Sequence, residues 1–173
     1  VHTRNNSDSG DGSYIENEAG NNEDMVNEEK TVLTKLVLDM CKPIFQSGRV
    51  VNMDNYYTSP SVFIELKKEG VYARGTCRSN RAMFPLSVQF SKEEARKCKQ
   101  GDMKMAVCQD EKMVAMGWVD GNPVHLLTTA DGTVKSEVTR RIGGVQRKVK
   151  SPDAIRNYNQ GMQAVDRFDQ LVS

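Results

Sequence analysis

In this chain of 173 residues, three carboxylates have the type and setting to do chemistry: Asp54, Asp166 and Asp169. Asp54 closes a short apolar run in VVNMDNYYTSPS. Two readings of it stand side by side. With Asn55 it can cap or turn the backbone, or it can be a carboxylate held at the end of a parallel strand, where ligands gather in open α/β sheets. Asp166 and Asp169 are three residues apart on a helical pattern, so they share a face. Asp169 falls inside the apolar stripe Ile155, Tyr158, Met162, Val165, Phe168 and Val172, and Asp166 lies on its margin. An unpaired carboxylate turned toward a core is costly. Either a basic side chain such as Arg167 or Lys150 neutralises it, or a metal does, or Gly161 restarts the helix and sends both acids to solvent. Acids at a strand end and on a helix beside it suit two Mg²⁺ ions about 4 Å apart. Such ions activate a water or a 3′ hydroxyl and stabilise the leaving oxygen of a phosphodiester. That is nuclease or strand-transfer chemistry, and it requires the three acids to converge.

The elements that must position them can be read from spacing. Lys30 to Phe45 carries Val32, Leu33, Leu36, Val37, Met40 and Ile44 at helical spacing, ended by Pro43 and Gly48. Arg49 to Met53 reads as a strand. Ser59 as N-cap and Pro60 at the first helical position then open a helix that turns Val62, Phe63 and Leu66 inward and stops at Gly70. Val71 to Cys77 is strand-like again, and strand, helix, strand predicts two parallel strands joined by a right-handed crossover. A charged, helix-prone link, Ser91 to Gln100, leads to five β-rich pieces: Met103–Cys108, Met113–Val119, Pro123–Ala130, Glu137–Ile142 and Gln146–Lys150. Turn signals separate them, including Asp131-Gly132 and Gly143-Gly144, which predicts an antiparallel meander. Ser151-Pro152-Asp153 starts the last helix.

Charge divides the chain. Val1 to Glu29 holds eight acidic residues and one basic, with repeated Asn, Gly and Ser, and is expected to be disordered. Lys30 to Ser173 holds 23 basic and 15 acidic residues, a net +8, so the overall +1 conceals a basic body that favours polyanionic partners. No apolar run of about 18 residues and no charged-then-apolar leader occurs, so neither a membrane span nor a signal peptide is expected and the chain reads as intracellular. Cys41, Cys77, Cys98 and Cys108 form no CxxC pair, and His2 and His125 complete no zinc spacing, so reduced and mostly buried thiols are expected. Arg78, Asn80 and Arg81 in GTCRSNR either hold phosphates or form a solvated basic loop. Tyr56 and Tyr57 either stack on bases or pack beneath the helix. Trp118 reads as core, His125 is given no catalytic role, and RRIGGVQRKVK reads as a basic hairpin that either tracks a DNA backbone or keeps an edge soluble.

Three segments together resemble the piggyBac-type transposases. MDNYYTSPSVFIELKKEGVYARGTCRSNR is similar to the region around that family's second catalytic aspartate. VHLLTT and YNQGMQAVDRFDQL are similar to its later strand and its acidic helix, and the likeness runs from about Val32 to Ser173. The resemblance implies an α/β fold: a partial RNase H-like catalytic core, built on the parallel βαβ unit plus helices and interrupted by a β-rich antiparallel insertion. In segments, 1–29 is the arm, 30–90 part of the core, 91–150 linker and insertion, and 151–173 the core helix with the acidic pair. It implies a DDE/D transposase that cuts and pastes DNA at TTAA sites with Mg²⁺ or Mn²⁺. Asp54 matches the second catalytic aspartate, Asp166 the third and Asp169 the neighbouring acid. Arg78, Asn80 and Arg81 fall on the basic loop expected to contact DNA, and a nuclear location and a homodimer are expected with it. Three departures stand out. The family's first aspartate lies upstream of everything alignable, and Asp8 and Asp11 sit in the Gly/Ser/Asn-rich arm. Gln163-Ala164 replaces the usual Gly-Gly, and Ser173 precedes the closing helices and cysteine-rich tail. They imply a fragment or a decayed copy with incomplete activity. The alternative is a domesticated, non-enzymatic DNA- or chromatin-binding protein that keeps the basic surface.

Overall fold

The computed structural model describes residues 32–172, with side chains described through Gln163. The expected acidic arm therefore lies outside the described residues. A helix through residues 32–41 (α1) passes into a 3-10 turn at Lys42–Ile44, where Pro43 sits in the first turn. Then come β1 (Val50–Met53), α2 (Pro60–Lys68) and β2 (Tyr72–Thr76). Ser59 is extended and its Oγ accepts from the Val62 N–H at 3.3 Å, while Pro60 fills the first turn, so both sequence signals act as read. β1 and β2 are parallel, from Val50 opposite Tyr72 to Met53 opposite Gly75. A short helix, α3 (Lys92–Lys97), carries a capping box from Ser91 and Glu94.

The expected meander divides in two. β3 (Met103–Cys108), β4 (Met113–Asp120) and β5 (Asn122–Thr128) pair antiparallel in succession, and β5 also pairs with β2, giving one five-stranded sheet in the order β1-β2-β5-β4-β3. β6 (Lys135–Ile142) and β7 (Val145–Pro152) pair only with each other. The reason is positional: β5 has a neighbour on each side, so β6 finds no free ladder there. The chain turns away after β5, where Thr128 Oγ1 accepts from the N–H groups of Ala130 and Asp131 at 3.0 and 3.1 Å. The result is a mixed α/β fold, with parallel and antiparallel pairing in one sheet.

Each face of the sheet has its own core. On one face Val37 of α1 and Val62, Phe63 and Leu66 of α2 gather on Met53, Ala73 and Leu127. On the other, Trp118, Met116 and Leu126 meet Val149 of β7 and Ala154 and Ile155 of α4 (Asp153–Val172). One alternative falls here and one expectation changes. The helix does not restart at Gly161, because α4 is continuous. Gly161 instead lets α4 approach β1, since a Cβ there would collide with the Asn52 amide. In α1 the apolar spacing overstates the buried stripe: Val37 and Cys41 are buried, but Val32, Leu36 and Met40 are exposed. Val37 and Cys41, with Leu38 beside them, are the α1 positions that pack into the α2 core. Among the described residues no helix is long and apolar enough to cross a membrane.

Candidate active site

Asp54 is the first residue past β1, at the carboxyl end of the parallel pair, and it is exposed. Its Oδ1 accepts from the Tyr56 N–H at 2.9 Å. Its carbonyl accepts from the Thr58 N–H at 3.1 Å and the Thr58 hydroxyl at 2.7 Å. The turn reading is therefore right as local chemistry. It does not exclude the other, because the turn engages one carboxylate oxygen and leaves Oδ2 with no hydrogen bond among the described residues.

The rest of the motif builds this turn. Thr58 is fully buried against Gly75, where a Cβ would collide with Thr58 Oγ1 and the Met53 carbonyl. Only glycine lets β2 pass there. From the loop after β2, Arg81 Nη2 donates to the carbonyl of Asn55 at 3.2 Å and to that of Tyr56. So DNYYTS and GTCRSNR, two segments of sequence, form one rigid unit around Asp54. Tyr56 is exposed and Tyr57 joins the α2 core, their rings edge to face at 5.0 Å.

Arg81 is thus turned inward, and its Nε is buried without a partner among the described residues. Arg78 and Asn80 are exposed and line an open cleft of about 450 Å³ with Asn55, Thr76 and His125. Burial pushes the Cys77 thiol up to about 11, against the opposing pull of Arg81, so the group stays protonated at neutral pH and is no nucleophile. Burial likewise lowers the pKa of His125, whose ring stands edge-on to Phe84 at 5.7 Å. Trp118 is core, as its sequence setting implies, and its indole N–H donates to the Lys150 carbonyl at 2.8 Å.

A polar network that the sequence reading missed lies between the sheet and α4. Arg74 of β2 grips Asp131 with two bonds, Nε to Oδ2 at 2.8 Å and Nη2 to Oδ1 at 3.0 Å. Asn157 of α4 donates to Oδ1 at 2.8 Å and Thr128 to Oδ2 at 2.7 Å. The ion pair is nearly dry, with side chains 14% and 8% exposed. Burial alone would raise the Asp131 carboxyl. The hydrogen bonds from Arg74, Asn157 and Thr128 outweigh it and hold the group below the usual carboxylate range. In sequence, Asp131-Gly132 marks only a turn. The usable signal was Arg74 itself, a charge in the middle of the strand YARGT that demands a partner.

α4 crosses the sheet toward β1 in successive turns. Ile155 lies in the Trp118 core, the Tyr158 hydroxyl is 3.5 Å from Thr76 Oγ1, and Gly161 meets Asn52. Asn52 pairs with Arg74, and Asp54 follows two residues on, just past the end of β1. Asp166 and Asp169 follow on α4, and their side chains lie outside the described residues, as does that of Arg167. Lys150 is exposed on β7. Among the described residues no three acids, histidines or cysteines are grouped to hold a metal. What is described of the expected set, the Asp54 carboxylate with one oxygen unengaged, is a hard donor of the kind that Mg²⁺ or Mn²⁺ takes.

The family profile described as transposase IS4 matches residues 13–173. The human PiggyBac transposable element-derived protein 2 is 28% identical over 124 residues, covering 69% of this chain and 20% of that protein. A cryo-EM structure of the piggyBac transposase synaptic complex with hairpin DNA superposes with a TM-score of 0.59 at 23% identity, over 81% of this chain and 27% of that one. The chain spans about a fifth to a quarter of the length of these two relatives. It belongs to the transposase IS4 family, and within that family it is of the piggyBac-derived type.

Proposed function

We propose that this chain supplies part of an RNase H-like catalytic core for metal-dependent DNA cleavage and strand transfer, the cut-and-paste reaction at TTAA sites. The observation that carries the reading is the Asp54 turn. Two motif segments, with Thr58 buried on Gly75 and Arg81 clamping two loop carbonyls, fix one acid at a parallel strand end and leave one of its oxygens without a hydrogen bond among the described residues. Asp54 and Asp166 are the proposed metal ligands, with Asp169 a ligand or their support. A bound pair of Mg²⁺ or Mn²⁺ ions would activate the attacking oxygen and stabilise the leaving one. Around that centre the chain's own residues position and bind. The Tyr56 N–H orients the Asp54 carboxylate, the Arg74–Asp131–Asn157 network sets α4 across β1 and β2, and Arg78 and Asn80 meet phosphates from the open cleft. DNA is the proposed substrate, which agrees with the DNA held by the structural relative, and the nucleus is the proposed place of action. The segments 30–90 and 151–173 belong to the core in this reading, with 91–150 inserted between them.

The test supplies the family's opening strand with its first aspartate and measures divalent-metal-dependent cleavage of a TTAA duplex. Asp54→Asn is expected to lose about a thousandfold in rate, equivalent to roughly 4 kcal/mol of transition-state stabilisation. Equal metal-dependent cleavage by both proteins would sink the assignment.

A further inference from the structure

The β6–β7 hairpin takes no part in the site above, yet it is strongly cationic, with six basic residues and one acid between Lys135 and Pro152. Ile142 and Val145 are joined by Gly143 and Gly144, both at positive φ, a two-residue turn that keeps the strands in tight register. Alternation then sorts the side chains. Val138, Arg140, Ile142 and Val149 turn toward the body, and Lys135, Arg141, Lys148 and Lys150 share the outer face with one acid, Glu137. The adjacent arginines therefore have different work. Arg140 docks the hairpin, with Nε bonds to both Asp120 oxygens at 3.0 and 2.9 Å and its guanidinium 5.6 Å from the Trp118 ring. Arg141 is exposed. The dock is firm: Val149 is buried, and Trp118 donates to the Lys150 carbonyl.

A soluble edge needs charge but not a single sign of charge. Among the described residues the only ion pair on the outer face is Lys148 with Glu137, at 3.6 Å and well exposed, and Lys135 and Lys150 form none. Like charges massed on one ribbon repel each other, and a polyanion removes that repulsion. The strands are about 25 Å long, most of one helical turn of duplex at about 34 Å. The hairpin is also joined directly to the acidic helix, since β7 ends at Pro152 and α4 starts at Asp153.

We propose that the outer face of the β6–β7 hairpin is a second DNA contact, in which Lys135, Arg141, Lys148 and Lys150 grip the phosphate backbone of a duplex, independent of its sequence. This rests on the reading of the chain as a DNA-acting protein. The test is binding of the full chain to a labelled duplex of arbitrary sequence, titrated with salt and without divalent metal. The triple variant Arg141→Gln, Lys148→Gln, Lys150→Gln should bind about a hundredfold more weakly near 0.1 M salt, with the slope of log K against log salt reduced by about 3. Glu137→Lys should raise that slope by about 1. A charge-matched control on α3, Lys92→Gln, Arg96→Gln, Lys97→Gln, should stay within about threefold of wild type. Equal losses in the two triple variants would overturn the proposal, because net charge alone would then explain binding. So would an equal loss on a single-stranded oligonucleotide that binds as tightly as the duplex. Wild-type binding that the hairpin variant leaves intact would overturn the hairpin and spare the DNA reading. Failure of the wild-type chain to bind duplex at all would overturn both.

Discussion

On one face of the sheet, Phe63 and Leu66 of α2 are fully buried against Ala73 and Leu127. On the other, α4 meets an apolar patch around Trp118 at its start and then a bidentate Arg74–Asp131 pair with Asn157 and Thr128 attached. The two helices are held by different physics. Close packing has no direction beyond shape, so it holds α2 tightly but tolerates swaps of equal volume. A buried charged pair adds little net stability, but its bonds have fixed lengths and angles. In this molecule the directional face is the one under the helix that bears Asp166 and Asp169.

That contrast can be broken in a defined order. The largest effect is expected from Phe63→Ala, which should cost about 3–5 kcal/mol in urea unfolding, with Phe63→Leu costing under about half as much. A cost below about 1 kcal/mol for Phe63→Ala would show that the α2 face is not the close-packed one. Next, Arg74→Ala should cost about 3 kcal/mol, since it leaves Asp131 buried without its cation. The double change Arg74→Met, Asp131→Leu should restore most of that stability yet speed amide exchange along α4. Restored stability with unchanged exchange would mean that the pair does not orient the helix. The smallest effect is on pH. The native Asp131 carboxyl lies below its unfolded value near 3.9, so its stabilising contribution is present above that pH and is lost as pH falls through the lower native value. Asp131→Asn should flatten the stability curve below about pH 4, and an unchanged acid limb would contradict the network.

The features legible in sequence were local ones. Ser59 and Pro60 act within one turn of α2, and Ser151-Pro152-Asp153 does mark the start of α4. The strands could be placed from their bounding turns to within two residues. What could not be read depends on partners far along the chain. Arg74 and Asp131 are 57 residues apart, and Arg81 reaches back 25 residues to the Tyr56 carbonyl. The separation of β6–β7 from the main sheet follows from β5 having both its edges occupied, which no local pattern records. For Asp54 the turn reading describes the local geometry and does not exclude the other, because among the described residues the turn engages Oδ1 and not Oδ2.

The central claim is that Asp54 and the acidic end of α4 share a divalent metal. Paramagnetic line broadening by Mn²⁺ in the full chain tests it without requiring turnover. Broadening is predicted in two separate segments, the Asp54–Thr58 turn and the helix around Asp166 and Asp169, and it should vanish from both in Asp54→Asn. Broadening confined to one segment, or unchanged by the substitution, would contradict the claim.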